Sequence, residues 1–316
     1  MGAEVLSSRA IMGMFYAALK QAEGLSWIDK IALETTSDQD SESYAWLGQV
    51  PAFREWIGER QSKGLRDFNY TIKNKKYEAT IEFGKNDHTF DKTPQVQKRI
   101  AELALRTNAH WASLMSTLIL NGASTVCYDG QFYFDTDHSE FDSGTQDNDI
   151  SVDISTLPAS VHATVATAPS AEEMQGAILK AVQAIYGFKD DRGEPMNEMA
   201  NRFLVMVPMG LWPAALKAVS LPLLGGGESN IVLNQGNFGI DVAPNARLTW
   251  TDSFAVFRSD ENSLALIKQS RSGVTMSAKA EGSEFEHDTD RHQYGVRAER
   301  NVGYGLWQHA CYVTMV

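Results

Sequence analysis

Between residues 94 and 121 apolar residues recur three and four positions apart: Val96, Ile100, Leu103, Trp111, Leu114, Met115, Leu118 and Ile119. That spacing gathers them on one stripe of an α-helix. Thr93 is placed to cap it, Pro94 suits the first helical position, and Asn121-Gly122 closes it. At 1.5 Å per residue such a helix is roughly 40 Å long. It is the longest regular element in the pattern, and its wide stripe makes it the backbone of the fold.

Residues 8–20 place Ile11, Phe15, Ala18 and Leu19 at helical spacing, with Gly24 after them, whereas 34–43 (ETTSDQDSES) read as loop. Ser170 and Glu173 form a capping box. Met174, Ile178, Ala181, Val182 and Ile185 follow at helical spacing, and Gly187 ends that helix. Residues 202–207 read as a buried strand, 208–219 as a short helix and 223–230 as a flexible loop. The chain from 231 to 285 reads mainly as strands, with the clearest at 253–257 and 264–269, and 294–316 as one or two more. Residues 139–170, rich in Ser, Thr, Asp and Ala with Pro158 and Pro169, read as loop, short strands and a domain junction. No repeat is found and no regular βαβ alternation, which favours an α+β fold.

From 67 to 84 the period changes to two. Phe68, Tyr70 and Ile72 alternate with polar residues, Asn74, Lys75 and Lys76 form a polar tip, and Tyr77, Ala79, Ile81 and Phe83 alternate again. The pattern predicts a hairpin of two strands of about seven residues. An isolated two-stranded hairpin is marginal in water, so it lies either on its own domain or on a partner. Just before it, residues 43–60 (SYAWLGQVPAFREWIGER) concentrate Tyr44, Trp46, Phe53 and Trp56 with Arg54, Glu55, Glu59 and Arg60, and carry no His or Cys. Trp, Tyr and Arg are the residues that most often carry interface energy, while aromatics as often mark an ordinary core. Both readings stand on the residues alone.

The 316 residues allow one large domain or two modest ones, and 43% hydrophobic with 22% charged residues is a globular composition. The net charge of −12 argues against a sequence-reading nucleic-acid binder, which needs a basic face. It is compatible with a protein that surrounds DNA without adhering to it. Cys127 and Cys311 make no disulfide framework. The N-terminus lacks a signal pattern, Leu6 stands where N-myristoylation needs Ser or Thr, and no run reaches membrane length. The expectation is a soluble chain in a reducing cytosol.

The best catalytic candidate is 128–138 (YDGQFYFDTDH), where Asp129, Asp135, Asp137 and His138 are hard ligands in close sequence. Glu286, His287, Asp288, Asp290 and His292 would complete a site for metal-activated water. Against it, Asp129-Gly130 is a hairpin-turn signal with 131–134 as the returning strand, and no HExxH or EF-hand spacing occurs. Gly225–Gly227 lacks the ending of a phosphate loop, and no GxSxG elbow is present. We expect no enzyme, no cofactor and no metal.

Four blocks in order, 43–60, 70–83 (YTIKNKKYEATIEF), 128–138 and 294–310 (YGVRAERNVGYGLWQHA), resemble the major head subunit of Mu-like bacteriophages and prophages. The first forty or so residues, 139–170 and the segment HTFDKTPQVQKR depart from that pattern. The resemblance implies the Hong Kong 97-type phage capsid fold. Its parts would be an N-terminal arm and stem (1–65), an E-loop hairpin (66–92), a P-domain with the long spine helix (93–165), an A-domain (166–282) and returning P-domain strands (283–316). It also implies self-assembly into pentamers and hexamers of an icosahedral head around double-stranded DNA, in the virion and built in the host cytoplasm, with portal, scaffolding and decoration proteins as partners and no membrane. Subunit contacts are expected at Trp46, Phe53, Arg54, Trp56, Arg60, Tyr70, Ile72, Lys75, Lys76 and Tyr77. Shells of this fold include some cross-linked through a hairpin lysine, which leaves Lys75 and Lys76 open to that role. Little or no N-terminal cleavage is expected. An encapsulin-like nanocompartment and a metal-dependent hydrolase are the alternatives.

Overall fold

The computed structural model describes residues 7–21, 26–44, 70–85, 95–223, 229–230, 232, 238–260 and 262–316. The aromatic contact residues Trp46, Phe53 and Trp56, with Arg54 and Arg60, lie outside them, as do Thr93 and Pro94. Helix α1 (Ser8–Gln21) buries Ile11 and Phe15, as its spacing predicts, and short α2 (Ser26–Ile31) leads into β1 (Ala32–Thr36). Strands β2 (Ser41–Ser43), β3 (Thr71–Lys73) and β4 (Lys75–Gly84) follow. Helix α3 (Gln95–Leu120) is the predicted rod, burying Val96, Ile100, Ala104, Ala112, Met115 and Ile119 along one stripe. Gly122 follows it because the Phe134 ring fills the space that a Cβ would need.

After α3 come β5 (His138–Ser139), β6 (Thr145–Gln146) and β7 (Asp149–Val152), then α4 (Ala171–Gly187). The capping box at the start of α4 is formed as predicted: the Ser170 hydroxyl accepts from Glu173 N at 3.1 Å, and Ser170 N donates to the Glu173 carboxylate at 2.8 Å. Strand β8 (Arg202–Val207), α5 (Trp212–Ser220), β9 (Gly239–Pro244), β10 (Ser253–Arg258) and β11 (Leu266–Lys279) come next. The chain ends with α6 (Glu284–Thr289), β12 (Arg291–Tyr304) and β13 (Ala310–Met315).

Two sheets organise these elements. One has the order β1-β11-β12-β4, the other β7-β13-β10-β8-β9. Strands β8 and β10 are buried on both faces apart from Arg202, with α4 and α5 packed on their sheet, which explains their unbroken apolar runs. The first sheet shares a core with α1 and the N-terminal half of α3, through Phe15, Phe83, Ile100, Met276, Tyr294 and Val296. The C-terminal half of α3, through Met115 and Ile119, joins the larger core around the second sheet. Helix α3 therefore runs from one core into the other.

The predicted hairpin does not form. Strand β3 pairs antiparallel with β2, and β4 pairs antiparallel with β12, not with β3. The expected tip residue Asn74 is buried: its amide donates to Ser37 Oγ at 2.8 Å and to the Gln39 carbonyl at 2.9 Å. Period-two alternation was satisfied by two different partners. The segment boundary at 282/283 falls between β11 and β12, which pair along most of their lengths, whereas β13 belongs to the second sheet. After Asp129, Gly130 takes the expected turn at φ +95°, but the return is one bridge, Val126 to Phe132, rather than a strand over 131–134.

Candidate assembly surface

The described residues expected at subunit contacts separate into three groups. Tyr70 and Ile72 are committed to their own subunit. The Tyr70 hydroxyl accepts from Tyr304 N at 3.0 Å, and burial pushes its pKa up to about 12, with that hydrogen bond acting the other way. Ile72 is 4% exposed and lies over Gly303, so little of its side chain is open at the surface of this subunit. Lys75 and Lys76 are exposed, in the first two positions of β4 rather than at a tip. Lys76 Nζ is 3.9 Å from Glu299, which Arg271 also approaches at 3.3 Å. Bonding from Arg297 outweighs desolvation and holds the Glu299 carboxyl below its ordinary value.

Tyr77 is half-buried and packs edge-on against His110 with ring centroids 4.3 Å apart. It borders a groove of about 250 Å³ between β4, β12 and α3, lined also by Leu103, Val296, Ala298 and Arg300. Arg300 is 4% exposed. Its guanidinium lies over the Trp111 ring at 4.8 Å and donates once, to the Thr107 carbonyl at 3.1 Å. Burial lowers its pKa to about 10, against a weak opposing effect of Tyr77. Its Nε and His110 Nδ1 are buried without hydrogen-bond partners. Burial, then the charges of Arg300 and Arg247, lower the His110 pKa and favour neutral imidazole. Sequence reasoning missed both residues. The signal was there for Arg300: it shares its strand face with Val296 and Ala298, so a charge occupies the inward register.

The candidate metal residues divide as well. Asp129 and His138 meet, with Cys127 beside them. The Asp129 carboxylate accepts from His138 Nδ1 at 2.7 Å, Cys127 Sγ at 3.0 Å and Gln131 N at 3.1 Å. Burial raises its pKa, but the bonds from His138 and Cys127 outweigh this and hold it below the ordinary value. The His138 ring stacks on Trp307 at 4.0 Å, and burial raises the Cys127 thiol pKa far above its ordinary value. With His138 and Asp129 side chains 0% and 3% exposed, the cluster has no open position for a substrate such as metal hydrolysis needs. Asp135 bonds Phe132 N and Thr136 N instead, and Asp137 accepts from the Gln131 amide. Glu286 and His292, 3.2 Å apart, tie α6 to β12 and are not part of that cluster. The hydrolase reading is withdrawn on this geometry.

Two sheets spanned by one long helix, with an open groove beside that helix, make up a fold shared with solved structures. It is similar to a chain in the procapsid of bacteriophage JBD30, at TM-score 0.54 and 22% identity over 96% of this chain and 72% of that one. The family model described as Mu-like prophage major head subunit gpT matches residues 7–158 and 249–315, more than half the chain. The chain belongs to that family. It is 36% identical over 117 residues to the Mu-like prophage FluMu major head subunit of Haemophilus influenzae, and 31% identical over 113 residues to the major capsid protein of Escherichia phage Mu. These alignments cover 37% and 36% of this chain, and 38% and 37% of the relatives' own lengths. The unmatched interval 159–248 contains α4, β8, α5 and β9.

Proposed function

We propose that this chain is the shell-forming subunit of a tailed-phage head, assembling as pentamers and hexamers into an icosahedral container for double-stranded DNA. Family membership across both matched intervals carries the reading. In this assignment α3 is the spine of the peripheral domain together with the sheet β1-β11-β12-β4, and the sheet holding α4 and α5 is the axial domain. The segment 66–92, whose described part holds β3 and β4, is assigned to contacts between subunits, with Lys75 and Lys76 among its exposed described residues. A repeated heterologous interface closes into rings when its rotation closes. The negative subunit charge suits a wall that contains DNA without holding it. Portal, scaffolding and decoration proteins are the partners, and the virion is the destination, after assembly in the host cytoplasm. No described helix is long and apolar enough to cross a membrane.

Electron microscopy of the purified protein tests this. Uniform closed shells or hexamer rings are expected, with nuclease-resistant DNA in particles recovered from phage-producing cells. Monodisperse monomers at high concentration overturn the reading, and shells filled with a protein cargo instead of DNA convert it to a nanocompartment.

A further inference from the structure

We propose that the groove at Arg300 and His110 is a socket for a carboxylate side chain of a second copy of this chain. The inference rests on the shell-subunit reading, because it needs copies side by side. Its starting point is an imbalance inside one subunit. A guanidinium withdrawn from water is costly unless a counter-charge and hydrogen bonds replace its hydration. Arg300 has a single hydrogen bond, to a neutral carbonyl, and a buried Nε–H with nothing to donate to.

Among the described residues, the acid beside it in sequence and the acid lining the groove have other partners. Glu299 adjoins Arg300 in β12, but neighbouring strand residues face opposite sides, and Glu299 pairs with Lys76, Arg271 and Arg297. Glu78 at the groove's edge is exposed and accepts from the Thr80 hydroxyl at 3.0 Å. Arg106, also on the groove, is held by Glu102 through bonds of 3.0 and 2.6 Å. Among the described residues the groove thus presents one uncompensated cation and an imidazole nitrogen above an apolar floor of Leu103, Val296 and Ala298.

That combination fits a Glu or Asp side chain better than it fits nucleic acid. The apolar floor receives the methylene stem, while the fork of Arg300 suits carboxylate geometry. A recess of about 250 Å³ admits a side chain and not a duplex. A second copy has an excess of such groups, 40 acidic against 28 basic residues. Charge complementarity of this kind fixes the register between neighbours.

The test uses the full chain. A photo-crosslinking amino acid at the exposed groove residue 79, followed by mass spectrometry of assembled particles, is expected to join position 79 to an acid-bearing peptide of another copy. Separately, Ala79→Glu places a carboxylate in the socket in cis. It is expected to leave subunit melting unchanged or raised while increasing the critical concentration for assembly about tenfold or more. Arg300→Gln should act the same way and Arg300→Lys less, although Arg300 also packs on Trp111, so Ala79→Glu is the deciding variant. Normal assembly of Ala79→Glu, or cross-links confined to the same chain or to nucleic acid, overturns the socket while wild-type particles keep the shell reading intact. A wild-type chain that forms no particles defeats both.

Discussion

Position 303 shows how a single hydrogen atom can be required. The Ile72 side chain occupies the place where a Cβ of residue 303 would be built, and the Tyr70 hydroxyl lies 3.2 Å from that point. Gly303→Ala therefore forces Ile72 off its seat and should destabilise the subunit by about 1–3 kcal/mol. Ile72→Ala alone empties the seat, at about 2–5 kcal/mol. The double variant should lose less than the sum of the two, because the cavity made by one change receives the methyl of the other. Urea unfolding of the four proteins measures this, and strict additivity would show that the two residues do not press on each other. Nothing local in the sequence explains this glycine: it stands in the quoted block 294–310, but the side chain it makes room for comes from the far side of the chain. Arg300 differs, since its inward register is readable from the alternation of β12. What could not be read was that the sheet partner and helix would leave it without a carboxylate.

At the scale of elements, α3 and the α4 cap were legible because both depend on residues three or four apart, within reach of one helical turn. The 67–84 hairpin was misread because alternation identifies a strand and one buried face but not which strand lies alongside. Asn74 breaks the run by turning inward to Ser37 and Gln39, and Gln269 donates to its side-chain oxygen at 2.8 Å, contacts that no local pattern encodes. The connection between β11 and β12 offers a pH test. Bonds from Lys85, Gly282 N and His292 lower the Glu286 pKa from 4.5 to about 2. The native state therefore releases this proton more readily than the unfolded chain. Its stabilising contribution is present above about pH 4.5 and is lost as pH falls toward 2. Melting curves across that window should show a decline that Glu286→Gln makes shallower. An equal slope in both proteins would mean that Glu286 is not held as described.

For the whole molecule, family and fold class were legible from four blocks kept in order, while the exchange between sheets, with β12 in one and β13 in the other, was not, since it depends on where the chain turns between two cores. The proposed assembly adds a balance of charges that can be decided by magnitude. Each copy carries −12, so copies brought together repel one another. Exposed ion pairs across a contact give back only about 0–1 kcal/mol each, and apolar burial is not weakened by simple salt. Raising ionic strength from about 0.1 M to 1 M shortens the screening length from about 10 Å to 3 Å, which removes much of the repulsion and little of the attraction. The carboxylate proposed for the Arg300 groove, being desolvated, would be screened least of all. The critical concentration for assembly, read by light scattering over a dilution series, should therefore fall as sodium chloride rises across that range. A rise instead would mean that exposed charge pairs, rather than buried surface, carry the contacts between copies.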